Sequence, residues 1–231
     1  GRLPYPLGWA AAQLPFAMRP GIAGIYNRRR REIASVARLS LAEQKAFVFA
    51  RMQPIAAWAY RHVPFYADLY LSTGVDPTRF RHFDELASLP IVTKQMLQAV
   101  PLEHRSAHVS SRSLENTGGS SGQPLDFYVE PSSIPHEWAH MHKIWERVGY
   151  RSRHLKLAFA GRSTIKNVLE YDSLRHHFAV DIYAGWQAVA DKLMKLPFLS
   201  RPRFLHGYPS AIFDFVQWLE SEGHPLLARL R

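Results

Sequence analysis

The segment "TGGSSGQPL", Thr117–Leu125, decides how the rest of this sequence is read. Three glycines, two serines and a threonine precede Gln123 and Pro124, between flanks of ordinary globular composition. A loop that only turns between two strands is served by about two to five residues. Here Gly118, Gly119 and Gly122 permit positive φ and let successive backbone N–H groups converge into an anion-binding nest. The hydroxyls of Thr117, Ser120 and Ser121 add donors for phosphate oxygens or a magnesium-bound water. No carboxylate stands between Thr117 and Pro124 to repel an anion. The segment suits a polyphosphate, with a plain Gly/Ser hairpin tip as the alternative. It is not a Walker loop, because no lysine follows at the required spacing, and Gln123 stands where the second glycine belongs. Nor is it a dinucleotide fingerprint, since a strand and not a helix follows it.

Outward from the loop, "SLEN" and "LDFYVE" read as strands, the second alternating Leu125, Phe127 and Val129 against Asp126, Tyr128 and Glu130. Upstream the chain reads as helical. Ser40 and Glu43 form a capping-box pattern before a long amphipathic run to about His62, and Pro64 then disfavours helix at Val63. Thr93 can cap a helix over "KQMLQAV". Downstream, Ser132 or Ser133 starts a helix that runs to about Val148, where Gly149 stops it. "LKLAFAG" (Leu155–Gly161) reads as a buried strand, "WQAVADKLMKL" as a helix and "RFLHG" (Arg203–Gly207) as a strand. "PSAIFDFVQWLESEG" is a helix with Pro209 in its first turn and Gly223 beyond its end. The expected fold class is α/β: a helical N-terminal region followed by alternating strands and helices. Residues 1–231 are expected to form a single, incomplete domain, with residues 1–110 mainly helical and 111–231 the α/β part.

Composition narrows the function classes. Apolar residues make up 47% and charged residues 21%, which excludes a disordered chain. No apolar run reaches the roughly 18 residues that a membrane span needs, so none is expected. With no cysteine there are no disulfides or thiolate metal sites, which fits a cytoplasmic location. The formal charge of +10 favours anionic ligands. The densest basic run, "NRRRRE" (Asn27–Glu32), is most simply a solvated helix end. No nucleic-acid motif accompanies it, so no nucleic-acid partner is expected.

Thr117–Pro124 resembles the phosphate loop of the adenylate-forming enzymes, the ANL superfamily of acyl-CoA synthetases and adenylation domains. Their pattern, Thr/Ser-Ser/Gly-Gly-Ser/Thr-Thr/Ser-Gly-Xaa-Pro, is met at each position. Leu125 stands where much of that superfamily has lysine. The form is similar to the branch containing phenylacetate–CoA ligases and the CapK-type proteins of capsular polysaccharide biosynthesis. "VPFY" (Val63–Tyr66), "FDELASLPIVTK" (Phe83–Lys94) and "LHGYPSAIFDFVQWLE" (Leu205–Glu220) resemble other segments of that branch.

This resemblance implies a partial ANL-type N-terminal domain and an ATP-dependent, acyl-adenylate-forming ligase. A carboxylate attacks the α-phosphate of ATP, pyrophosphate leaves, and a thiol or other nucleophile then takes the acyl group. ATP and Mg2+ are the implied cofactors, CoA is a possible acceptor, and the partners are a nucleotide and a carboxylic acid. Thr117, Gly118, Gly119, Ser120, Ser121 and Gly122 would hold the β- and γ-phosphates, and Gly207, Tyr208, Pro209 and Ser210 would border the acyl pocket. No catalytic residue and no protein metal ligand is assigned. The sequence ends at "PLLARLR", short of the family's adenine-binding "Y-x-(S/T)-E" region and its C-terminal catalytic lysine. The expectation is therefore an N-terminal portion, inactive alone, whose partner is the missing C-terminal half or another subunit. A non-catalytic binding module is the alternative.

A rival pattern is "HEWAH", His136–His140. On a helix His136 and His140 share a face and suit zinc, with Glu137 as general base of a hydrolase. No third ligand follows at metzincin spacing. The simpler reading is solvent-facing histidines on a helix packed through Trp138, Met141 and Trp145.

Overall fold

The structure, a computed structural model, describes residues 3–19, 23–117, 123–159, 161, 165, 167–196 and 202–230. It divides into two units, Gly1–Asn27 with Trp138–Arg231, and Arg28–Glu137. Each is taken by itself.

Chain order begins with α1 (Tyr5–Ala12), α2 (Ala23–Val36) and α3 (Leu41–His62). The start of α3 is fixed by its capping box: Ser40 Oγ accepts from Glu43 N at 3.4 Å, and Ser40 N donates to Glu43 Oε2 at 2.8 Å. At Val63 the backbone is extended (φ −123°, ψ 108°), as Pro64 requires, and α4 (Pro64–Thr73) starts with that proline in its first turn. A 3-10 turn over Phe83–Ser88 precedes α5 (Lys94–Gln98), capped by Thr93 Oγ1, which accepts from Met96 N at 3.2 Å. Strands β1 (Ser113–Asn116) and β2 (Asp126–Val129) pair antiparallel, with Asn116 opposite Asp126.

Helix α6 (Ser133–Trp145) tightens into a 3-10 turn at Glu146–Val148 and ends at Gly149, whose φ of 78° is left-handed. Then follow β3 (Lys156–Phe159), β4 (Leu169–Asp172), β5 (His177–Val180), α7 (Trp186–Met194), β6 (Phe204–Gly207), α8 (Pro209–Ser221) and α9 (Leu226–Leu230). The four strands form one sheet in the order β4-β5-β3-β6, with β3 parallel to both β5 and β6, and β4 antiparallel to β5.

One face of this sheet carries the apolar core. Leu157 and Phe159 of β3 and Phe178 and Val180 of β5 pack against Val189 and Leu193 of α7 and Phe215 and Leu219 of α8. Each such side chain contributes about 1.5–3 kcal/mol on leaving water. Alternation sends the intervening residues, Lys156 and His177, to the opposite face. There Lys156, only 1% exposed, lies among the rings of Trp138 (4.6 Å), Trp145 (4.0 Å) and Tyr150 (4.9 Å). Its Nζ has no hydrogen-bond partner among the described residues. Burial, helped by the nearby Arg175, pulls its pKa down to about 7, while Asp172 opposes the fall.

Candidate functional site

The glycine loop is presented by the β1–β2 hairpin of the Arg28–Glu137 unit. Gly118, Gly119, Ser120, Ser121 and Gly122 lie outside the described residues; the base of the loop lies within them. Thr117 N donates to Leu125 O at 3.0 Å, and Leu125 N donates to Thr117 Oγ1 at 3.0 Å. The threonine of the motif therefore closes the loop with its side chain as well as its backbone. Gln98 Nε2 braces the outgoing side, donating to Gln123 O at 3.0 Å and Pro124 O at 3.3 Å. Arg105 donates through Nη1 to Asp126 O, so a guanidinium sits at the first residue of β2. These contacts fix the two ends of the loop at the top of the hairpin.

Beside the same hairpin lies a cavity of about 370 Å3, lined by Trp58, Arg105, Val109, Phe127, Tyr128 and Glu130 among others. Tyr128 is fixed there: its hydroxyl donates to Glu103 Oε1 at 2.7 Å, and the Arg112 guanidinium lies 3.7 Å from its ring centroid. The Tyr128 hydrogen bond holds the Glu103 carboxyl below its ordinary range, with Arg112 adding to the effect. The sequence reading missed this lining, because Trp58, Arg105 and Phe127 come from three separate segments.

The "GYPS" residues lie at the C-terminal end of β6, in the other unit. Gly207 has φ 144°, and a Cβ there would lie 2.0 Å from Phe159 O, so β6 approaches β3 too closely for any side chain. Tyr208 N donates to that same Phe159 O at 2.9 Å. The Tyr208 side chain is 53% exposed, and Pro209 opens α8 with the exposed Ser210 behind it. A Cβ at Gly161, just past β3, would come within 3.1 Å of Tyr183 Oη and 3.2 Å of the Tyr208 ring. Gly161, Tyr183 and Tyr208 thus gather at the C-terminal ends of parallel strands, where open α/β sheets usually present ligands.

At "HEWAH", Arg29 donates from Nε to His136 Nδ1 at 3.1 Å, putting a fixed positive charge beside the would-be ligand. Arg29 also pairs with Glu32 at 2.6 Å, so the basic run is partly neutralised within its own unit. His140 and Glu137 are exposed. The buried histidine of the helix is His142, 4% exposed, whose Nδ1 lies 2.9 Å from Tyr26 Oη. Among the described residues no three His, Asp or Glu side chains gather closely enough to hold a metal ion.

No family model matches the sequence, and no curated protein sequence matches it. Solved structures do. The mixed α/β fold is similar to part of the fold of a CoA ligase. Three of the matching structures are of 2-hydroxyisobutyryl-CoA ligase. One, in the postadenylation state with 2-HIB-AMP, matches at TM-score 0.63 and 19% identity, over 80% of this chain and 41% of that one. A second, with 2-HIB-AMP and CoA in the thioesterification state, matches at 0.59 and 20%, over 80% and 41%. A third, an open conformation with the same ligands, matches at 0.58 and 19%, over 80% and 45%. The chain thus spans less than half the length of the ligases it resembles, and at these identities the likeness establishes the fold.

Proposed function

We propose that this chain is part of an ATP-dependent carboxylate-activating ligase, an acyl-adenylate-forming enzyme of the phenylacetate–CoA ligase and CapK-like branch. The observation that carries the reading is the agreement of Thr117–Pro124 with a phosphate loop at each position, on a hairpin closed by Thr117 and braced by Gln98. On this reading the amides and hydroxyls of Thr117, Gly118, Gly119, Ser120, Ser121 and Gly122 donate to the β- and γ-phosphates of ATP. They position pyrophosphate as the leaving group while the carboxylate attacks the α-phosphate, which is catalysis by positioning and charge stabilisation. Magnesium, when bound, supplies further neutralisation of the phosphate oxygens. Gly207, Tyr208, Pro209 and Ser210 border the acyl group. The ligands of the 2-hydroxyisobutyryl-CoA ligase structures, 2-HIB-AMP and CoA, support a carboxylic acid and CoA as substrate and acceptor classes.

The test is calorimetry of ATP with magnesium on the chain and on a Gly119→Val/Ser120→Val double variant. The expected result is at least a tenfold loss of ATP affinity in the variant, with its thermal stability unchanged. Equal affinities would remove the reading.

A further inference from the structure

A second cavity, of about 250 Å3, opens at the opposite end of the same parallel strands. Its lining includes Leu155, His176 and Arg203, the residues immediately before β3, β5 and β6. Four-residue strands rise about 13 Å, so this end is well separated from Gly207 and Tyr208 at the other. Arg153, His154, Trp9 and Gln13 also line it. Among the described residues its lining contains no carboxylate.

The charges here are uncompensated. Arg153 and Arg203 are exposed, and neither guanidinium makes a hydrogen bond or ion pair among the described residues. Beneath them Arg19 is 6% exposed and donates only to main-chain oxygens, at Leu174 (2.6 Å), Ala12 (3.2 Å) and Ser152 (3.4 Å). Its Nε has no partner at all among the described residues. His154 Nδ1 accepts from Arg151 N at 3.2 Å, which leaves Nε2 as the neutral ring's donor. Burial lowers the affinity of both histidines for a proton, and every neighbouring charge that adds to the effect is a cation. Arg203, Arg153 and Arg151 act on His154; Arg19, Lys156 and His154 act on His176. Trp9, half-buried on α1, forms an aromatic wall.

We propose that this cavity is a second anion site, which binds the phosphate group of a small phosphorylated molecule through Arg153, Arg203 and His154. Two guanidinium groups and an imidazole N–H supply charge-assisted donors suited to a tetrahedral dianion. A bound dianion relieves the repulsion among the cations, and that relief adds to its affinity. The site stands on unit-internal geometry and does not depend on the glycine loop.

The probes are inorganic phosphate and adenosine 5′-monophosphate, titrated into the chain at constant ionic strength with chloride as the reference anion. The Arg153→Gln/Arg203→Gln double variant alters exposed side chains and is expected to keep its fold. It should bind phosphate at least tenfold more weakly, whereas the Gly119→Val/Ser120→Val variant retains phosphate binding here within twofold. Histidine NMR adds a local readout: phosphate should raise the pKa of His154 in the wild type and leave it unmoved in the double variant. Tighter binding of the nucleotide, lost in Trp9→Ala, assigns the site to a phosphoester on a flat ring. Equal binding of both probes assigns it to the free anion, against the proposal. The proposal is also overturned if the double variant binds phosphate like wild type, if Arg79→Gln on the other unit weakens binding equally, or if chloride competes as well as phosphate.

Discussion

On one face of the four-stranded sheet Leu157, Phe159 and Val180 meet Val189, Phe215 and Leu219, and all six side chains are fully buried. On the other, Lys156 meets the rings of Trp138, Trp145 and Tyr150, and it and its neighbour His177 are nearly as well buried. The same strands build both. The apolar face is stabilised by transfer from water, which does not change with proton concentration. The second face has taken an amine out of water and surrounds it with ring faces in place of a carboxylate, so its contribution depends on protonation. Equal burial thus leads to different energetics, and each face answers to a different perturbation.

The largest effect is expected on the apolar face. Phe215→Ala should cost about 3–5 kcal/mol in urea denaturation, with a pH dependence parallel to that of wild type. A loss below about 1 kcal/mol would mean that this face is not the main core.

Lys156→Met acts on the other face with the opposite sign. The amine has its ordinary value of 10.5 in the unfolded chain and about 7 in the folded one. Between those values the unfolded state binds more protons, so wild-type stability rises as pH increases from about 7 to 10.5. His176, pulled down to about 4 by burial and by the neighbouring Arg19, adds a similar rise from about 4 to 6.5. Methionine removes the lysine contribution: at pH 6 the variant should be more stable by on the order of 2 kcal/mol, and the rise above pH 7 should flatten. An unchanged profile would show that the amine keeps its charge and its water.

The smallest change falls among the rings of the second face, where His142 packs against Trp138, Trp145 and Tyr150. Tyr26→Phe removes the hydroxyl that lies 2.9 Å from buried His142 Nδ1 and should cost about 1 kcal/mol. A neutral result would mean that His142 behaves as one more ring among the aromatics around it.

What the sequence made legible was local. The Ser40–Glu43 capping box, the Pro64 boundary, the Thr93 cap and the hairpin around the glycine loop each depend on residues a few positions apart, and each is present. Strands β4 and β5 escaped the reading because the turn between them carries no Gly, Asn or Pro to mark it. That turn closes on His176 at φ 49°, a conformation its residue type does not announce. "LKLAFAG" was legible as a buried strand, yet nothing local told that Lys156 would be enclosed with it, since the enclosing rings lie as far away as Trp138. The same holds for the two cavities. Arg153 and Arg203 meet only through the register of β3 with β6, and Trp58 and Phe127 line one cavity from a helix and a strand. The glycine loop stood out because its residues are contiguous.

The enclosed amine of Lys156 also makes the protein its own reporter of opening. Near neutral pH much of it is unprotonated and chemically competent, but no reagent can reach it while α6 stays in place. Lys45, Lys94, Lys143, Lys192 and Lys195 stand on the surface and accept an acylating reagent at once. A delayed label at position 156, timed by mass spectrometry, therefore clocks how often the helix lifts from the sheet.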